Sequence, residues 1–111
     1  MKKIIEIDIK SLNQTVSLAL GEFLVELDRA KFSNIKIIKV ITGYGSHGKG
    51  GEIKRGLEQL LNKLKRENKV QDFFKGETLT KEKIVELSRF CPELLLDKDL
   101  NYNSGITLVI I

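Results

Sequence analysis

Between positions 41 and 54 the chain reads Ile-Thr-Gly-Tyr-Gly-Ser-His-Gly-Lys-Gly-Gly-Glu-Ile-Lys, a stretch that holds five glycines, the sole histidine and two lysines. Glycines let backbone amides come close to a ligand. Where such a stretch runs into a helix, the first amides are unpartnered and partly positive, and they suit an anion. Lys49, Lys54 and Arg55 add full charges nearby. Phosphate is the natural guest; a flexible turn is the alternative. The stretch lacks the Gly-Lys-Ser/Thr ending of a phosphate-binding P-loop. Gly43, Gly45 and Gly48 satisfy G-x-G-x-x-G, but 111 residues are too few for a doubly wound dinucleotide domain. Tyr44, between two glycines, has a ring that can stack on a base or fold back over the loop. His47 is the one group whose type changes charge near neutral pH, which suits a general acid or base; a solvated loop histidine is the alternative.

Two strands and two helices must position these groups. Ile4-Ile5-Glu6-Ile7-Asp8-Ile9 alternates around β-branched residues and reads as a strand. Asn13 is a plausible cap for a helix over 14–31, whose apolar face is Val16, Ala19, Leu20, Phe23, Leu27 and Ala30. The nearly continuous apolar run 35–41 predicts a strand covered on both faces. After the loop from Thr42 to Gly51, a second helix is expected over 52–67, burying Ile53, Leu57, Leu60, Leu61 and Leu64. Strand alternating with helix implies a βαβ unit with parallel strands. Residues 69–75 predict a shorter strand, 80–90 a short helix capped by Thr80 and stopped by Pro92, 97–105 a loop, and 106–111 a well-covered closing strand.

Composition limits the remaining choices. A chain of this length with 41% apolar and 31% charged residues forms one domain, here 1–111, with a core of its own. The lone Cys91 cannot form an internal disulfide and reads as a small apolar residue rather than a nucleophile. With no signal-peptide pattern at the start, this fits a reducing cytoplasm. Met1 and the compact βα start favour a free-standing protein. No apolar run approaches the roughly 20 residues that span a membrane, so no membrane partner is expected. One histidine, one cysteine and scattered carboxylates show no metal-ligand spacing, and no cofactor is expected. The net charge of +4 is uneven: residues 1–66 carry 13 Lys/Arg against 7 Asp/Glu, or +6, and residues 67–111 carry 6 against 8, or −2. A basic N-terminal two-thirds favours an anionic partner, with nucleic acid the commonest; plain solubility explains it equally.

Thr42-Gly43-Tyr44-Gly45-Ser46-His47, continued by Gly50-Gly51 and Ile53-Lys54, resembles the Thr-Gly-x-Gly motif of the Smr (small MutS-related) domain. Order and length of elements agree with that family over about 4–75, and Gly105 precedes a matching last strand. The family's first strand carries Leu-Asp-Leu-His followed by Gly. Here it reads Ile7-Asp8-Ile9-Lys10-Ser11, with Lys10 where the histidine would stand. Residues 76–104 exceed the usual final turn and read as an insertion with a short helix near 80–90.

The resemblance implies an α/β two-layer sandwich of βαβαββ order. A four-stranded mixed sheet would pack under two main helices, as in the C-terminal domain of translation initiation factor three. It also implies binding of DNA or RNA, with nicking endonuclease activity in several members and a divalent metal ion possible in that case. The family's functional positions map onto Asp8, Lys10 and Thr42–Gly45.

Phosphate-binding candidates are therefore Lys10, Thr42, Gly43, Tyr44, Gly45, Lys49, Lys54 and Arg55; catalytic candidates are Asp8 and His47. Asp8 can be a base, a metal contact, or a structural partner of Lys10. A lysine in the histidine's place stabilises phosphate charge but is a poor base at neutral pH, which favours binding over cleavage. A third expectation is a protein partner docking on 76–104.

Overall fold

The computed structural model describes residues 3–10, 15–43, 49–100 and 102–111. Strand β1 (Ile4–Asp8) leads to helix α1 (Val16–Phe32), strand β2 (Ile37–Ile41), helix α2 (Lys49–Arg66) and strand β3 (Asp72–Lys75). Residues 76–104, the segment expected from sequence to be an insertion and called so below for position only, contribute helix α3 (Lys81–Leu87) between two short 3-10 segments, Gly76–Thr78 and Pro92–Leu96, before strand β4 (Ile106–Ile110). The four strands form one mixed sheet in the order β1-β2-β4-β3. β1 runs parallel to β2, while β4 is antiparallel to both β2 and β3.

Local chemistry sets the boundaries. The Thr15 hydroxyl accepts the Leu18 amide at 3.1 Å and caps α1, so the cap lies two residues beyond Asn13, which is outside the described residues. Helix α2 begins at Lys49, three positions earlier than the glycines suggested, so Gly50 and Gly51 belong to its first turn. At its other end Asn68 takes a left-handed φ of 60°, Lys69 N–H donates to the Leu64 carbonyl at 2.8 Å, and Val70 turns into the core. That helix closure uses residues the apolar pattern assigned to a strand, and β3 starts only at Asp72.

Both faces of the sheet are covered. On one, Phe23 and Leu27 of α1 and Ile53, Leu57 and Leu61 of α2 pack on Ile38, Val40 and Val109. On the other, Leu79, Ile84, Leu87, Cys91, Leu94 and Leu100 of the insertion pack on Ile37, Ile106 and Leu108. The insertion thus adds a cover to the sheet face opposite the two main helices. Burial pushes the Cys91 thiol above its usual pKa, as suits a packing residue. Among the described residues no helix is long and apolar enough to cross a membrane.

The two ends of the insertion meet. Gly76 lies so close to Asn103 that an added Cβ would overlap the Asn103 carbonyl, and backbone cannot yield as a side-chain tip can. Gly76→Ala is therefore expected to destabilise the fold by about 1–3 kcal/mol through overpacking. Urea unfolding of the two proteins measures it, and equal midpoints would show that the junction is slack.

Candidate functional site

The parallel pairing of β1 and β2 carries their ends to one rim. Asp8 lies opposite Ile41 in the ladder, and Ile9 N–H donates to the Ile41 carbonyl at 3.0 Å. One residue on, Lys10 crosses Gly43: its Cδ is 3.3 Å from where a Gly43 Cβ would stand. Gly43 has φ +79°, a left-handed conformation that favours glycine, so both backbone and neighbour ask for the missing side chain.

Asp8 engages Lys10 twice. Its Oδ1 accepts the Lys10 amide at 2.9 Å, and its Oδ2 lies 3.3 Å from Lys10 Nζ. Both groups remain part-exposed, so the ammonium can still reach a ligand at the rim. Thr42 is fully buried; its amide donates to the Gly105 carbonyl at 2.9 Å and its hydroxyl to the same oxygen at 3.4 Å. Its side chain therefore fixes the exit of β2 from inside.

On α2, Lys54 turns inward. Its Nζ lies 2.8 Å from Glu77 Oε2 and 2.9 Å from the Ser104 carbonyl, so it ties both ends of the insertion to the helix. Arg55 is exposed and forms no ion pair among the described residues. Tyr44, Gly45 and His47 lie outside the described residues, as does the Lys49 side chain. Among the described residues no three His, Cys, Asp or Glu side chains gather as a metal ion would require. Asp8 alone, already engaged by Lys10, is a poor donor set for a divalent cation.

The sequence reading missed Lys39. It stands in the centre of β2 and is 5% exposed. Its Nζ lies 2.8 Å from Asp97 Oδ2 of the insertion and 3.2 Å from Glu6 Oε1 of β1. Burial by itself would lower its pKa, but the two carboxylates outweigh that and hold it above the usual lysine value. The available signal was a charge inside a strand expected to be covered on both faces, since such a charge must be paired. Beside this trio a cleft of about 390 Å³ opens between Lys10 and Gly43 on the rim and Asp99 and Asn103 of the insertion.

No family model and no curated protein matches the chain. A search of solved structures finds similarity to the Smr domain of Thermus thermophilus MutS2, with a TM-score of 0.58 over 97% of this chain and 95% of that one. The chain has an Smr-like fold. Sequence identity over that match is 18%, so the likeness is one of fold. Within the Smr-like frame, Asp8, Lys10, Thr42 and Gly43 converge on one rim, while Lys54 serves the insertion.

Two stability tests follow from these ion pairs. Asp97→Ala leaves the buried Lys39 with only the exposed Glu6 and is expected to cost about 2–4 kcal/mol, whereas Lys39→Met costs less because it removes the buried charge itself. Chemical denaturation of both variants checks the order, and a larger loss in Lys39→Met would contradict it. For Glu77, burial alone would raise the pKa, but the hydrogen bond and charge of Lys54 hold it below the usual value. A depressed carboxylate pKa stabilises the fold above the ordinary glutamate range, and that contribution disappears as pH falls through the depressed value. The wild-type advantage over Glu77→Gln should thus be present at neutral pH, at most about 1 kcal/mol for so open a pair, and vanish in acid. A gap independent of pH between 7 and 3 would refute it.

Proposed function

We propose that this Smr-like domain binds nucleic acid by its phosphate backbone, at the rim formed by the ends of β1 and β2 and the start of α2. The supporting observation is the parallel pairing that sets Lys10 against Gly43. It brings an accessible ammonium and side-chain-free backbone together at the carboxyl ends of parallel strands, where ligands of open α/β sheets gather. The chain then enters α2 through Gly50 and Gly51, whose amides lie in the unpartnered first turn. Lys49 and the exposed Arg55 add charge on that helix, Tyr44 and Gly45 fall between β2 and α2 in the sequence, and the excess of +6 over residues 1–66 draws the polymer in. Thr42 and Lys54 hold this rim and the insertion in place.

Binding without efficient cleavage is the reading favoured over nicking. A general base needs a free lone pair toward the attacking oxygen. Asp8 directs one carboxylate oxygen to the Lys10 amide and the other to its ammonium. A lysine does not shuttle a proton near neutral pH as a histidine does, which leaves His47 as the one residue of the right type for that work.

The test uses supercoiled plasmid and structured RNA, each with and without divalent metal. The expected outcome is salt-sensitive retention of at least one polymer with neither cut. Nicking would turn the reading to an endonuclease, and no binding at low salt would end it. Lys10→Gln should weaken binding and flatten the plot of log affinity against log salt by about 0.7–0.9, one phosphate contact. An unchanged slope places the contact elsewhere.

A further inference from the structure

The cleft beside Lys10 has a chemistry different from the rim above it. Its walls include Ile41 and Ile106 from the sheet, with Glu6 on one side and Asp99 on the other. Its volume of about 390 Å³ falls within the roughly 300–1,000 Å³ typical of small-molecule sites. Of the two ammonium groups at its edge, Lys10 is paired with Asp8, and Lys39 with Glu6 and Asp97. Asp99 makes no ion pair among the described residues and is exposed. The charged lining, Glu6 and Asp99 against Lys10 and Lys39, sums to zero, so the interior offers no net attraction to a phosphate. A bare cation is disfavoured as well, since the Lys39 ammonium already sits between the best carboxylates. A flat, neutral ring with an N–H₂ edge satisfies the apolar wall and the carboxylate together.

The wall carrying Asp99 is built in advance. The Asp99 amide donates to Asp97 Oδ1 at 2.9 Å, and its carbonyl accepts from Asn103 Nδ2 at 2.8 Å. Asn103 Oδ1 in turn accepts the Gly105 amide at 2.9 Å. These bonds fix the backbone around Asp99, whose carboxylate makes no hydrogen bond or ion pair among the described residues. A carboxylate accepts from the exocyclic amine of cytosine, whereas uracil and thymine offer there only the ring N3–H, flanked by two carbonyl oxygens that repel a carboxylate.

We propose that this cleft takes one unstacked base of the bound strand and favours an amino-bearing base over uracil or thymine, with Asp99 as the acceptor. The inference rests on the backbone-binding reading above, because the strand held at the rim delivers the base. It also implies a preference for single strands, whose bases are free to leave the stack.

Fluorescence anisotropy with ten-nucleotide strands of cytosine, of uracil or thymine, and of abasic sugar-phosphate separates the two ideas. The whole chain should bind the cytosine strand about tenfold more tightly than the uracil or thymine strand, in line with one good base contact, and the abasic strand most weakly. Asp99→Ala should abolish the preference for cytosine over uracil without weakening abasic binding. The Asp99 side chain makes no hydrogen bond within the described protein, so the variant is expected to keep its fold, and its abasic binding reports that independently. Equal affinity for all three strands would overturn the cleft while leaving the phosphate rim standing. A cytosine preference that survives Asp99→Ala would also overturn it. No binding of any strand at low salt would remove both.

Discussion

A lysine placed in the middle of a covered strand cannot keep its charge without counter-charges, because the loss of hydration is severe. Lys39 meets that requirement with Glu6 from the neighbouring strand and Asp97 from the insertion. Much of the molecule's second face follows. Asp97 reaches Lys39 from the end of the 3-10 segment Pro92–Leu96, whose Leu94 packs with Ile37 and Leu108 of the sheet, and the chain then passes Lys10 and Gly43 at the cleft. That path sets Asp99 and Asn103 opposite Lys10 and Gly43 and so defines the cleft. One buried ion trio thereby links the packing of the insertion to the shape of the candidate site.

Most of the framework was legible in the residues. The helical spacing of Phe23 and Leu27, and of Ile53, Leu57 and Leu61, marked the faces that are buried. The nearly continuous apolar run around Ile38 and Val40 marked a strand covered on both sides, and it lies between two neighbours. Boundaries were harder to read. Gly50 and Gly51 look like loop but sit in a helical first turn, and Val70 looks like strand but packs behind a left-handed closure at Asn68. In both places a terminal hydrogen-bond pattern overrode local propensity. At the site, the meeting of Lys10 with Gly43 followed from the expected parallel pairing. Thr42 and Lys54 look like ligand contacts in sequence but point inward, since their partners, Gly105, Ser104 and Glu77, lie from 23 to 63 positions away. No local pattern reveals such partners.

The similarity to a MutS2 Smr domain at 18% identity shows how little of the sequence this architecture requires. What the site binds and whether it reacts depend on individual side chains at the rim. Residues 76–104 contribute Asp99 to the cleft that also holds Glu6, Lys10 and Lys39.

The strand order has a consequence for how the chain acquires its shape. β2 and β3 do not touch; β4 lies between them, though it follows both in sequence. Until residues 106–110 emerge from the ribosome, one full edge of Ile37–Ile41 stays open, along with the apolar face that β4 completes. An unpaired strand edge is a template for wrong partners. The nascent chain must therefore hold β1, α1, β2 and α2 as an unfinished unit through some forty further residues, the span from the end of α2 to the start of β4. Contacts this distant in sequence close slowly, so the open edge of β2 is exposed for as long as β4 is missing.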